Sequence, residues 1–175
     1  MKVSEFIKHL KRQRFDKSQV AHTQHIPPRR ARYGRLDRPL PPALQDSLKR
    51  VGAEKLYTHQ AQAINAARAG QNVVVATATA SGKTLCYNVS VLEALIKDWR
   101  SRALYLFPTK ALAQDQLRSL RELTRPNFPE VKFGTYDGDT PQSTRARRRK
   151  EAAIILTNPD MLHLGILPNH ALWAH

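Results

Sequence analysis

The chain has a single cysteine, Cys86, in 175 residues. That excludes an internal disulfide and any zinc site built from several cysteines. Cys86 reads as a small buried packing residue rather than a reactive thiol. Acidic residues are also scarce, with 14 Asp and Glu against 29 Lys and Arg. The formal net charge of +15 is more than solubility needs and points to a polyanionic partner, most simply nucleic acid. No apolar run is long enough to span a bilayer, so no membrane partner is expected. The N-terminus intersperses Lys2, Glu5, Lys8, Lys11 and Arg12 among its apolar residues and does not read as a signal peptide. The expected compartment is the cytoplasm. No internal repeat is present.

What is there is organised around residues 72–84, Asn-Val-Val-Val-Ala-Thr-Ala-Thr-Ala-Ser-Gly-Lys-Thr. Val73, Val74 and Val75 form a β-branched run, as expected of a buried strand. Small residues follow, then Ser81-Gly82-Lys83-Thr84. Next comes an amphipathic helical stretch with Leu85, Val89, Leu92 and Ile96 on one face. Strand, tight turn and helix with Lys-Thr in its first turn is the layout of a phosphate-binding loop. Amides at a helix N-terminus point at an anion, and the helix dipole favours it. Gly82 permits close approach of the backbone, Lys83 adds a mobile charge, and the Thr84 hydroxyl is placed to hold magnesium. Thr77 stands where the usual pattern has its first glycine, and Ala80 where many such loops carry another. The candidate nucleotide contacts are Tyr57, Gln60, Thr79, Ala80, Ser81, Gly82, Lys83, Thr84 and Leu85. Lys83 and Thr84 are the candidate catalytic pair, and Thr84 is the candidate metal ligand.

Around this centre, residues 1–14 read as a short amphipathic helix. Residues 15–42 form a proline-rich basic arm carrying Arg29, Arg30, Arg32, Arg35 and Arg38, either solvated or in contact with nucleic acid. The domain boundary is placed at residue 40, between residues 1–40 (helix and arm) and 41–175. Two helices are expected over Ala43–Arg50 and Thr58–Ala69, the second capped by Thr58 and ended by Gly70. Strands at Ala103–Phe107, Val131–Tyr136 and Ala153–Thr157 alternate with helices. Those helices are expected to be capped by Thr109, by Thr140 with Pro141 at its first position, and by Asn158 with Pro159. The helix after Pro141 is polar and carries Arg145, Arg147, Arg148, Arg149 and Lys150, for solvation or for nucleic-acid contact. The alternation predicts an α/β fold, a parallel sheet with helices on both faces and its ligands at the carboxyl ends of the strands. That edge would gather the turns Ser81–Thr84, Pro108–Lys110 and Thr157–Asp160. Tyr57-Thr58-His59-Gln60 offers a ring to stack on a base and an amide to pair with an adenine edge.

With these pieces placed, the chain resembles the first RecA-like domain of a superfamily 2 DEAD/DEAH-box-type ATP-dependent helicase, a P-loop NTPase fold. The resemblance rests on Tyr57–Gln60 (Q motif), Thr77–Thr84 (motif I), Pro108–Gln114 (motif Ia), Tyr136–Asp139 (motif Ib region) and Thr157–Asp160. The Thr-Ala-Thr-Ala-Ser-Gly-Lys-Thr form looks most like a branch with a C-terminal domain of unknown function and links to DNA repair. The resemblance implies ATP and Mg2+ as cofactors, with Gln60 reading adenine and Lys83 and Thr84 serving the phosphates and magnesium. It also implies that Pro108, Thr109, Lys110, Gly138, Thr157 and, at the same edge, Asn158 follow a nucleic-acid strand, DNA in preference to RNA. The Asp-Glu dipeptide of the family's motif II occurs nowhere in the chain. The second RecA-like domain, with its arginine finger, is missing too. The expectation is therefore an incomplete domain of a longer motor, in which ATP hydrolysis drives nucleic-acid remodelling, while this piece alone binds without turnover. Asp137 is a weak substitute candidate for the missing magnesium carboxylate. A small-molecule kinase would need a lid and an acidic acceptor site, and neither is visible.

Overall fold

A computed structural model describes residues 2–12, 22, 24–28 and 30–173. Arg29 of the expected arm lies outside the described residues. The chain divides into two compact units, Met1–Ala31 and Arg32–His175. In the first, α1 (Val3–Arg12) is helical as its pattern predicts, and Glu5 accepts from the Lys2 N–H at 2.9 Å at its start. Val3 and Phe6 are exposed.

In the second unit, helices α2 (Pro42–Arg50), α3 (Thr58–Arg68) and α4 (Lys83–Lys97) precede β1 (Ala103–Leu106) and α5 (Lys110–Thr124). Then follow β2 (Phe133–Thr135), α6 (Gln142–Glu151), β3 (Ile154–Thr157) and the single turn α7 (Pro159–Met161). The expected last helix continues past α7 only as a wide π-helical turn over Leu162–Ile166 and a tighter 3-10 segment, Leu167–Trp173. Among the described residues the sheet has three strands in the order β1-β3-β2, all parallel. Ala103 and Phe133 both pair with Ile154. The middle strand, Ile-Ile-Leu-Thr, is buried throughout, as a strand covered on both faces must be.

Side chains alternate across β3. Ile154 and Leu156 enter a large core with Leu44, Ile64, Val89, Leu92 and Leu120. Ile155 enters a smaller one with Tyr136, Ala152 and Ile166. Helices therefore cover both faces, as expected. Arg68 ties α3 to α4 through a two-pronged ion pair with Glu93, at 2.9 and 2.6 Å, and its Nη1 also donates to the Arg38 carbonyl. Arg32, Arg35 and Arg38 are exposed on a non-helical stretch pinned to α3: Gly34 donates to the Leu56 carbonyl, and Thr58 donates from N–H and hydroxyl to the Arg32 carbonyl.

The structure corrects several expectations. Val73–Val75 is not a strand: the run has no ladder partner among the described residues, and Val74 is 94% exposed. A groove of about 620 Å³ is lined jointly by Val73, Val75, Phe107 and Leu112. Without a neighbour for its N–H and C=O groups, β-branching alone makes no strand. Thr58 does not cap α3: it is the first helical residue, its hydroxyl goes to Arg32, and Gln60 reaches back instead to the Tyr57 N–H at 2.8 Å. Thr140 does not cap α6, because its hydroxyl is spent inside the preceding turn, on Asp137 and Thr135. Ile96 is exposed, and Cys86 and Leu95 are buried in its stead. Gly70 ends α3 in the left-handed region at φ +75°, as read.

Candidate nucleotide and nucleic-acid sites

The stretch Thr77–Gly82 is irregular and delivers the chain into α4, whose N-cap is Gly82 at φ 77°. No side chain caps α4, which leaves its first amides for an anion. Ala80 also has a positive φ, 57°, which explains why glycine suits this position. Lys83 folds over the loop, and its ammonium donates to the carbonyls of Thr77 at 2.9 Å and Ala78 at 2.7 Å. The Thr77 and Ser81 hydroxyls bond at 2.6 Å and close the loop on itself. Thr79 and Ala80 are exposed at its tip. Leu85 is half-buried against the main core, and its N–H is bonded to the Gly82 carbonyl.

Gln60 is 2% exposed, and both ends of its amide are engaged. Oε1 takes the Tyr57 N–H, and Nε2 donates to the Gly82 carbonyl at 2.9 Å. The residue expected to read adenine holds the loop to α3. The Tyr57 ring lies near-parallel to those of Tyr33, at 5.6 Å and 9°, and His59, at 6.0 Å and 16°. Tyr57 remains 40% exposed.

The Thr84 hydroxyl donates to Gln116 Oε1 at 3.1 Å. With its proton so placed, its lone pairs are left for a hard cation. Among the described residues no cluster of three His, Cys, Asp or Glu suited to a metal exists. Asp137 does not stand in for motif II: its carboxylate accepts from the Asp139 N–H and the Thr140 hydroxyl within its own turn. Burial raises the Cys86 thiol above its ordinary value, in line with a packing role.

At the carboxyl end of β1, Pro108, Thr109 and Lys110 are exposed. Thr109 caps α5 by accepting from Leu112 N–H at 3.2 Å. Lys110 pairs with Asp139 at 2.8 Å, beside exposed Gly138, and that hydrogen bond raises its ammonium above the ordinary lysine value. Pro108, Thr109, Lys110 and Gly138 thus share one surface. Thr157 does not join them. It is 1% exposed, and its hydroxyl donates to the Tyr136 carbonyl at 2.5 Å, locking β3 to the end of β2. Asn158 caps α7, accepting from Met161 N–H at 2.7 Å. The basic helix α6 is partly structural. Arg145 donates to the carbonyls of Thr140 and Asp137, and Arg148 donates to the Thr135 carbonyl. A Cβ on Gly134 would meet Arg148 Cζ at 2.7 Å, so glycine in β2 makes room for that guanidinium. Sequence reasoning also missed Gln116, whose role rests on α5 packing beside α4 and has no local signal.

The DEAD/DEAH box helicase family matches residues 57–173, which contain the loop, the Gln60 staple and the Lys110 edge. The chain belongs to the DEAD/DEAH box helicase family. It is 44% identical to the ATP-dependent helicase HRQ1 of Saccharomyces cerevisiae over 99% of its own length and 16% of that protein's. It is 45% identical to the uncharacterized ATP-dependent helicase YprA of Bacillus subtilis, over 89% of this chain and 21% of YprA. Among solved structures, the DUF1998 helicase MrfA bound to DNA and AMPPNP superposes with a TM-score of 0.83 at 42% identity, covering 99% of this chain and 24% of that one. The chain therefore spans about a fifth of the length of these helicases. Among the described residues no helix is long and apolar enough to cross a membrane.

Proposed function

We propose that this chain is the ATP-binding and nucleic-acid-binding part of a DEAD/DEAH-box helicase that couples ATP hydrolysis to DNA remodelling in the full-length protein. The observation that carries the reading is the Lys83 ammonium resting on the Thr77 and Ala78 carbonyls at the uncapped head of α4. A triphosphate there meets amide hydrogens, and Lys83 exchanges two carbonyl partners for phosphate oxygens, a charge-assisted bond of greater strength. Magnesium, held by Thr84 and the phosphates, would supply charge neutralisation during phosphoryl transfer. Gln60 keeps Gly82 in place while this happens. Pro108, Thr109, Lys110 and Gly138 take the nucleic-acid backbone, with Lys110 leaving Asp139 for phosphate. The DNA-bound state of the similar MrfA supports DNA over RNA. The greater length of the relatives supports a second RecA-like domain elsewhere in the full-length protein. The domain boundary near residue 40 and a cytoplasmic setting belong to the same reading, the latter supported by the single cysteine. In the full-length protein, Lys83→Ala abolishes nucleic-acid-stimulated ATP turnover. Unchanged turnover in that variant rejects the reading.

A further inference from the structure

A threonine that ligates a metal must aim its oxygen lone pairs at the ion and send its proton elsewhere. In a helix its hydroxyl has a competing option, the carbonyl three or four residues back. At Thr84 the proton goes instead to Gln116 Oε1 at 3.1 Å. The same amide oxygen accepts from the Tyr87 hydroxyl at 3.0 Å, so both of its lone pairs are committed and the amide is fixed in orientation. The Tyr87 ring packs edge-on against Tyr105 at 5.0 Å, and the Tyr105 hydroxyl donates to buried Asn88 Oδ1 at 3.0 Å. Gln116 thus sits in a braced acceptor position, on the helix that begins with Thr109 and Lys110.

We propose that Gln116 is a positioning residue for the loop's metal ligand: by taking the Thr84 proton it turns the Thr84 lone pairs toward Mg2+. It also joins that ligand to the helix that carries the nucleic-acid edge. The proposal rests on the nucleotide-site reading above. Partners that orient a metal ligand have measurable worth, and their loss costs roughly 10–100-fold in metal affinity.

The test is equilibrium binding of a fluorescent non-hydrolysable ATP analogue to the full-length protein, in excess Mg2+ and in EDTA. The unsubstituted protein binds more tightly with Mg2+. Gln116→Leu loses about tenfold or more of that tightening and keeps the EDTA affinity. Gln116→Glu, which retains the acceptor oxygens, keeps the tightening. Thr84→Ala loses it, and adding Gln116→Leu to Thr84→Ala changes nothing further. Full Mg2+ tightening in Gln116→Leu overturns the proposal. So does an equal loss of affinity in Mg2+ and in EDTA, which is what a purely structural role for Gln116 gives. Absence of any Mg2+ effect in the unsubstituted protein overturns the nucleotide-site reading, and the proposal with it.

Discussion

Gln60→Met separates two roles for one side chain. The replacement keeps the length and removes the amide. The Tyr57 N–H loses its 2.8 Å acceptor and the Gly82 carbonyl its 2.9 Å donor. Gln60 itself is 2% exposed, and the Gly82 carbonyl keeps the Leu85 N–H as a second donor. At about 0.5–1.5 kcal/mol per hydrogen bond, the expected loss is about 1–3 kcal/mol. Urea denaturation of the 175-residue chain reads it as a lower midpoint at constant slope. The functional consequence follows from what the staple holds. Gly82 is the N-cap of α4, so freeing it loosens the phosphate cradle rather than any base contact. ATP and GTP should therefore lose affinity by the same factor in a competition titration. Gln60→Glu should do worse, because an oxygen then faces the Gly82 carbonyl. Unchanged stability together with a loss confined to ATP would refute the staple and restore adenine reading to Gln60.

Asp139→Asn frees Lys110 from its 2.8 Å partner, so nucleic acid should bind more tightly at low salt, with a steeper fall as salt rises; equal affinity would remove Lys110 from the contact. Ala80→Gly relieves a left-handed alanine at φ 57°, and the relief less glycine's chain entropy should stabilise the chain by about 1 kcal/mol in thermal melts. Arg68→Met leaves Glu93, whose side chain is 16% exposed, without its partner, and should cost about 3–5 kcal/mol, most of it recovered in the Arg68→Met/Glu93→Leu double variant. Lys132 holds the exposed Glu151 carboxyl below its ordinary value, so that group's small contribution is complete above the unfolded carboxylate pKa and is lost as pH falls through the folded one. An NMR titration of Glu151 should show this, and an ordinary midpoint would contradict the pairing.

Much of the strand–helix alternation was legible because it rests on short-range chemistry. Asn158 and Thr109 cap the helices their positions suggest, since each acceptor needs only an amide three residues on. Thr58 and Thr140 are equally good capping types and do not cap. Their hydroxyls meet carbonyls that the fold brings near, those of Arg32 and Thr135, and such competition is invisible to a local pattern. Val73–Val75 failed as a strand for the same kind of reason, because pairing needs a neighbour that propensity cannot supply. At the site, the turn that delivers Gly82, Lys83 and Thr84 to the head of a helix was readable from the local sequence on both sides. The partners of Gln60, Thr157 and Arg148 were not, since each depends on how separate elements come together. Thr157 is the clearest case. Its motif position suggested contact with nucleic acid, and its burial turned it into a bolt between neighbouring strands.

The most direct measurement is hydrogen–deuterium exchange of the full-length protein with and without AMPPNP and Mg2+. The largest gain in protection should fall on amides of residues 79–84 and vanish in Lys83→Ala. Protection elsewhere, with Ser81, Gly82, Lys83 and Thr84 exchanging as before, would contradict a triphosphate site at the head of α4.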